Sequence, residues 1–330
     1  MKAIVWTKYG APDALQLREV EKPAPQEDEV LIRVHAASVS TPDAELRRLK
    51  LPPLYAIPLR VYLGMLRPAR ITILGSEFAG EVVATGKEVT RFQPGDPLFG
   101  YTGLHMGTYA EYLCLPEKSS GLGGVLGPKP SNLTYEEAAA VPFGALEALH
   151  DLKKANIQPG YQVLIVGAGG SIGTYAVQLA RHYGAEVTGV DKPGKMEMLR
   201  AIGARHVIDY TREDFTKNGR KYDVILDTIG KSPFFASLRS LSDRGVYLNP
   251  NPGVLGRLWL YGSKKNSSQK VISWTAGYSI QNLLEVKALV EAGILKPVID
   301  QRYSMEQIVD AHRYVDTGEK KGNVVLSLVH

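Results

Sequence analysis

Val163-Leu-Ile-Val166, then Gly167-Ala-Gly-Gly-Ser-Ile-Gly173, a helix-compatible run, and Glu186-Val-Thr-Gly-Val-Asp191 decide the reading of this chain. A short β-branched strand enters a glycine-rich turn, a helix leaves it, and a second strand closes on an acidic residue. A dinucleotide pyrophosphate needs that order. Glycines let backbone N–H groups approach the phosphates, and the positive end of the helix dipole favours their charge. The glycines alone also fit a tight strand–helix turn with no ligand. The flanking strands, and Asp191 placed 18 residues after Gly173, favour a nicotinamide dinucleotide.

Outward from this stretch, residues 206–208, 224–226 and 245–248 read as further short buried strands separated by helical segments. That alternation predicts an α/β fold with a doubly wound parallel sheet and helices on both faces. The first third differs. Val30–Val39, Phe78–Thr85 and Gly107–Leu115 predict a small, mostly antiparallel β domain. A glycine-, serine- and proline-rich connection at 119–130 leads to a capping box, Thr134-Tyr-Glu-Glu137, and one helix over Ala138–Leu152. Residues 280–292 and 304–317 read as amphipathic helices, and Val324–Val329 as a last strand.

With 330 residues the chain suits two packed domains, and 44% hydrophobic with 22% charged residues is ordinary for a globular protein. The net charge of +5 suits an anionic cofactor, but no long Lys/Arg block points to nucleic acid. Cys114, the lone cysteine, rules out an intrachain disulfide framework and a multi-cysteine zinc lobe. Residues 1–6 read as a strand rather than a signal peptide, and residues 163–180 are too interrupted by glycine and serine to span a membrane. These features predict a cytoplasmic protein with no stable membrane insertion.

Ordered matches along nearly the whole chain resemble the medium-chain dehydrogenase/reductase superfamily, in its zinc-independent quinone oxidoreductase branch. They include Gly-Ser-Glu-Phe-Ala-Gly-Glu-Val at 75–82, Arg-Phe-Gln-Pro-Gly-Asp at 91–96 and Gly-Thr-Tyr-Ala-Glu-Tyr at 107–112. Ala-Ala-Ala-Val-Pro-Phe-Gly-Ala-Leu at 138–146, the glycine turn, residues 203–210 and residues 222–230 continue the series. The resemblance implies a GroES-like catalytic domain beginning at 1–125, a Rossmann domain at 126–270, and a return segment at 271–330 that completes the sheet and the catalytic domain. It also implies a homodimer.

Zinc-dependent members of the superfamily use a cysteine and a histidine-glutamate pair where this chain has Ser40 and Ser76-Glu77. A hydroxyl is a poor zinc ligand beside thiolate or imidazole, so no metal site is expected, His105 and Glu77 being the residual candidates. Without a metal, a localised alkoxide is harder to stabilise than a delocalised enolate or hydroquinone anion. The expected acceptor is therefore a small hydrophobic quinone or α,β-unsaturated carbonyl. The alternatives are an alcohol dehydrogenase acting on activated alcohols and a nucleotide-binding protein without turnover.

The turn residues Gly167, Gly170, Ser171, Ile172 and Gly173 are expected at the pyrophosphate. Asp191 can accept hydrogen bonds from the adenosine ribose, which favours NADH, and Asp191→Ser would then shift preference toward NADPH. Lys192, Lys195 and Tyr210 match positions that bind the 2′-phosphate in NADPH-using quinone oxidoreductases, so family usage favours NADPH while NADH stays possible. The alternative leaves both lysines as solvated surface charges, with Asp191 simply capping a turn. Ile229-Gly230 and Asn249-Pro250 are expected beside the nicotinamide, with Asn323 added from family position. Glu147 replaces a common threonine near the nicotinamide carboxamide; it either touches the carboxamide, moves a proton, or points to solvent. Ser40 and Tyr55 are the candidate proton donors, with Tyr62 in the same loop behind Tyr55; the alternative is that both tyrosines pack the lid while water delivers the proton. His35 reads as structural, and His150, His182, His206 and His312 as surface residues. The apolar, arginine-flanked loop 49–74 is expected to cover the acceptor, ahead of a subunit contact or a membrane contact.

Overall fold

A computed structural model describes residues 1–49, 53–119, 121–249, 268–273 and 278–328. The chain divides into two units: residues 1–143, 278–291 and 297–330 form the first, and residues 144–277 and 292–296 the second.

The second unit is built on six strands, ordered His206–Asp209, Glu186–Asp191, Gln162–Val166, Tyr222–Asp227, Leu241–Leu248 and Lys270–Ile272. Every neighbouring pair is parallel. In chain order this is third, second, first, fourth, fifth, sixth, the Rossmann arrangement. Its direction of winding reverses between Gln162–Val166 and Tyr222–Asp227. Parallel strands need helical crossovers and are covered on both faces, so they are apolar throughout. Val163, Leu164, Ile165, Val224, Ile225 and Leu226 are indeed completely buried.

The first unit carries a seven-stranded sheet that joins both ends of the chain. Six strands run in the order Ile299–Ser304, Asn323–Ser327, Glu29–Ser38, Glu77–Thr85, Pro97–Tyr101 and Val125–Pro128, and Tyr112–Pro116 also pairs with Glu29–Ser38. All pairings are antiparallel except that of Ile299–Ser304 with Asn323–Ser327. Trp6, Ile32, Val34, Phe78, Val82, Leu98 and Tyr109 form its core with Val324 and Leu326 of the returning strand.

The structure moves several expected boundaries. The division falls between Phe143 and Gly144 rather than at 125/126, because Val125–Pro128 pairs with Pro97–Tyr101 in the first sheet. In the return segment, 292–296 stays with the second unit and 297–328 joins the first. The third strand is Tyr112–Pro116, not Gly107–Leu115; Met106 and Gly107 both have positive φ, 55° and 93°, and the turn they make delays the extended run. The single helix over Ala138–Leu152 is two, Tyr135–Ala139 and Pro142–Ala155, since Pro142 has no N–H to continue the ladder. The 49–74 segment is not a plain loop but contains the helix Pro53–Leu63. The final strand is Asn323–Ser327; Val329 lies outside the described residues. No helix among the described residues is long and apolar enough to cross a membrane.

Candidate functional site

In the second unit the strand Gln162–Val166 ends at Gly167, whose φ of 76° belongs to the left-handed region. A Cβ there would meet Ile229 Cγ1 and Thr228 Oγ1, each at 2.6 Å. The Gly167 and Ala168 amides donate to Val190 O at 3.0 and 3.2 Å, which ties the turn to the neighbouring strand. Gly170 is the N-cap of the helix Ser171–His182 and supplies no side-chain cap. A Cβ on Gly170 would meet only Gly167 O, at 3.4 Å, so the space in front of the helix is open. A helix N-terminus with no side-chain cap, opening from half-buried Gly170, fits a pyrophosphate.

Asp191 ends the second strand with its side chain 7% exposed, and its carboxylate is already engaged. Oδ2 accepts from Gly169 N at 2.8 Å, and Oδ1 from Lys192 N at 2.8 Å. Lys195 Nζ lies 3.2 Å from Oδ1 and is equally buried. Lys195 is therefore not a solvated surface charge; it neutralises Asp191. Tyr210 is half exposed, and its amide donates to Asp191 O at 3.3 Å.

A further buried carboxylate shapes the loop after the fourth strand. Asp227 accepts from Ile229 N (3.2 Å), Gly230 N (2.9 Å), Ser232 N (3.0 Å) and the Tyr247 hydroxyl (3.2 Å). Asn249 Nδ2 donates to the same hydroxyl at 3.2 Å, while Ile229 itself is 49% exposed. Pro250, next to Asn249, lies outside the described residues. Asp227 was not singled out from sequence; its place three residues before Gly230 in Asp-Thr-Ile-Gly was the available signal.

Glu147 sits on Pro142–Ala155 and is buried, so the solvent-facing option is corrected. One turn later, burial and the Glu147 carboxylate push Asp151 up to about 7.

The first unit holds a separate polar cluster. Ser40 is the N-cap of the helix Thr41–Arg48: its hydroxyl donates to Asp43 Oδ2 at 2.6 Å and accepts from Asp43 N at 3.2 Å. Tyr109 also donates to Asp43 Oδ2, at 3.1 Å. The Ser40 hydroxyl is thus committed to a capping box. Tyr55 falls in Pro53–Leu63, but its side chain lies outside the described residues. Asn323 opens the last strand, and its Nδ2 donates to Val298 O at 3.2 Å. His35 stacks on Tyr135 with ring centroids 4.1 Å apart. His312 is not a surface residue. It is fully buried on the inner face of Ile308–Thr317, and burial, then Arg47 and Arg48, lower it to about 3. Among the described residues, no group of three or more His, Cys, Asp or Glu is disposed to hold a metal.

Glu77 is the titrating centre of this cluster, and the sequence marked it only as a residual metal ligand. Ser38 donates to its Oε2, and Phe143 N, in the first turn of Pro142–Ala155, donates to Oε1 at 2.8 Å. Burial raises Glu77 from 4.5 to about 7, with Asp43 adding to the rise and Lys320 opposing it. The folded-state value exceeds the unfolded one, so this contribution to stability is full below about 4.5 and is lost as pH climbs through about 7. Glu77→Gln keeps an acceptor for Phe143 and cannot ionise. Its melting temperature relative to the parent is expected to rise between pH 5 and 8, by the equivalent of about 3 kcal/mol at the upper end. A pH-independent difference in thermal melts would refute this.

Residues 26–122 match the family described as "Alcohol dehydrogenase GroES-like domain", and residues 202–326 that described as "Zinc-binding dehydrogenase". The chain is 32% identical over 340 residues to 2-methylene-furan-3-one reductase of Solanum lycopersicum, covering 99% of this chain and 79% of the relative. It is 30% identical over 342 residues to a quinone oxidoreductase of Pseudomonas aeruginosa, covering 98% and 99%. The solved quinone oxidoreductase from Coxiella burnetii superposes with a TM-score of 0.87 at 27% identity, covering 100% of this chain and 99% of the other.

Proposed function

The chain belongs to the medium-chain dehydrogenase/reductase superfamily, in its quinone oxidoreductase-like branch, and we propose that it uses NADPH, without zinc, to reduce an α,β-unsaturated carbonyl or a quinone. It is an NAD(P)H-dependent oxidoreductase. Bound NADPH supplies hydride. The chain's own part is to seat the pyrophosphate at Gly167–Gly173 and to hold the Ile229–Gly230 backbone through Asp227.

The observation that carries the cofactor choice is the Asp191–Lys195 pair. An unpaired carboxylate at the end of the second strand would repel a 2′-phosphate. Here a buried ammonium at 3.2 Å cancels that charge, and half-exposed Tyr210 is tied to the same strand end by its amide on Asp191 O. Support for zinc-free chemistry comes from the donor set: Ser40 is spent on Asp43, and Glu77 takes hydrogen bonds on both oxygens. Such a site favours acceptors whose reduced anion is delocalised. Similarity to relatives named for an enone and for quinones agrees with that preference.

Steady-state oxidation of NADPH tests the reading. Metal-stripped enzyme is expected to reduce 2-cyclohexenone or 1,4-naphthoquinone with kcat/KM at least about 100-fold above that for cyclohexanone. Equal rates on the saturated ketone, or activity restored only by zinc, would overturn it.

A further inference from the structure

The helix Pro53–Leu63 and the turn after it present apolar side chains in two directions. Leu63 is buried and Leu59 packs against the core of the first unit. Facing outward are Ile57 (60% exposed), Val61 (66%), Tyr62 (44%), Met65 (58%) and Leu66 (92%). A helix whose inner side already meets a core has no folding reason to carry this outer set. Contiguous exposed apolar surface of this kind marks a binding face.

Charge identifies the occupant. From Leu46 to Ser76 the sequence contains no Asp or Glu, but it contains Arg47, Arg48, Lys50, Arg60, Arg67 and Arg70. Arg47 and Arg48 are taken by Asp316. Among the described residues, Arg60, Arg67 and Arg70 have no acidic partner. Arg60 lies over the Tyr9 ring at 4.8 Å, and Arg70 over the Tyr62 ring at 4.4 Å, beside the apolar face. Exposed aliphatic side chains, an amphipathic tyrosine and a border of uncompensated arginines match the chemistry of an anionic bilayer surface. A second copy of the same patch is a poor match, because a two-fold contact would set arginine against arginine with no carboxylate in the segment to relieve it.

We propose that Ile57–Arg70 docks the protein reversibly on anionic lipid, its outer face resting at the headgroup–acyl boundary. This is surface attachment, not insertion, and it does not depend on which acceptor the enzyme reduces.

Co-sedimentation of the full-length protein with vesicles tests it. The parent is expected to bind phosphatidylcholine vesicles containing phosphatidylglycerol, to bind pure phosphatidylcholine at least tenfold more weakly, and to be released by salt. Arg67→Gln with Arg70→Gln should weaken binding by about 25-fold, about fivefold per arginine. Val61→Asp with Leu66→Asp should weaken it at least tenfold while the melting temperature stays at the parent's value, which shows that the fold is intact. Absence of binding to the anionic vesicles, or equal binding by parent and variants, overturns the proposal. So does sedimentation velocity showing a parent dimer that Leu66→Asp converts to monomer, since the face would then belong to a second copy. Because the assay reads binding and not turnover, its failure leaves the reductase reading intact.

Discussion

Gly173→Ala is expected to raise the dissociation constant for NADPH by about 100-fold and to lower stability by about 1–3 kcal/mol. A Cβ at Gly173 would stand 2.3 Å from Gly167 O and 2.6 Å from Ala168 C and Cα. All three are backbone atoms of the preceding strand and turn, so no side chain can swing aside. The helix Ser171–His182 must then move away from Gly167–Gly169, and its first N–H groups move with it. Those groups and the glycine backbone are what the phosphates need. Gly170→Ala provides the contrast. Its added Cβ meets only Gly167 O at 3.4 Å, so the unliganded fold should be unaffected. Calorimetry with NADPH and thermal melts of both variants read the two effects separately. A Gly173→Ala protein that binds NADPH as the parent does would break the link between this turn and the cofactor.

The turn was legible from sequence because its requirements are local. Positive φ, close backbone approach and an uncapped helix start are each written in a few consecutive residues, as at Gly167, Gly170 and Gly173. The parallel sheet was legible as well, since short apolar strands alternating with helices read as crossover units. What sequence reading missed depends on residues meeting across the fold. Ser38, Glu77 and Phe143 are separated by tens of residues, and no spacing rule joins them. His312 looked like a helix-surface histidine until the helix Ile308–Thr317 was seen to bury that face against Tyr109 and Arg47. Pro142 was in plain view, yet the apolar run around it read as one helix. Ser40 was weighed as a chemical group because of the resemblance, whereas Ser40-Thr-Pro-Asp43 already spelled a helix cap with an acidic third residue. Lys195 shows the same limit from the other side. Two lysines near an acid at a strand end do not reveal which one turns inward.

That inward turn gives the second large effect. Lys195→Met is expected to shift the cofactor preference toward NADH, with the NADPH:NADH ratio of kcat/KM falling by at least about tenfold. In the parent the Asp191 carboxylate is balanced by Lys195 and held by the Gly169 and Lys192 amides. With the ammonium gone, both amides still fix the carboxylate in place, but its charge is uncompensated at the position proposed for the 2′-phosphate. A diol in that position can donate to the carboxylate; a phosphate can only repel it. Stability should fall as well, by about 3–5 kcal/mol, because a nearly buried charge loses its partner. Asp191→Ser, expected from sequence to shift preference toward NADPH, also loses the acceptor for Gly169 N, so it should loosen the glycine turn and weaken both cofactors together whatever their ratio. The double variant Asp191→Asn, Lys195→Met separates charge from packing. It restores an uncharged pair with an acceptor for the Gly169 amide, so its stability and its NADPH:NADH ratio should both recover toward the parent's. If Lys195→Met alone leaves the ratio unchanged, Asp191 does not face the 2′ position, and the cofactor choice must be set elsewhere on the nucleotide.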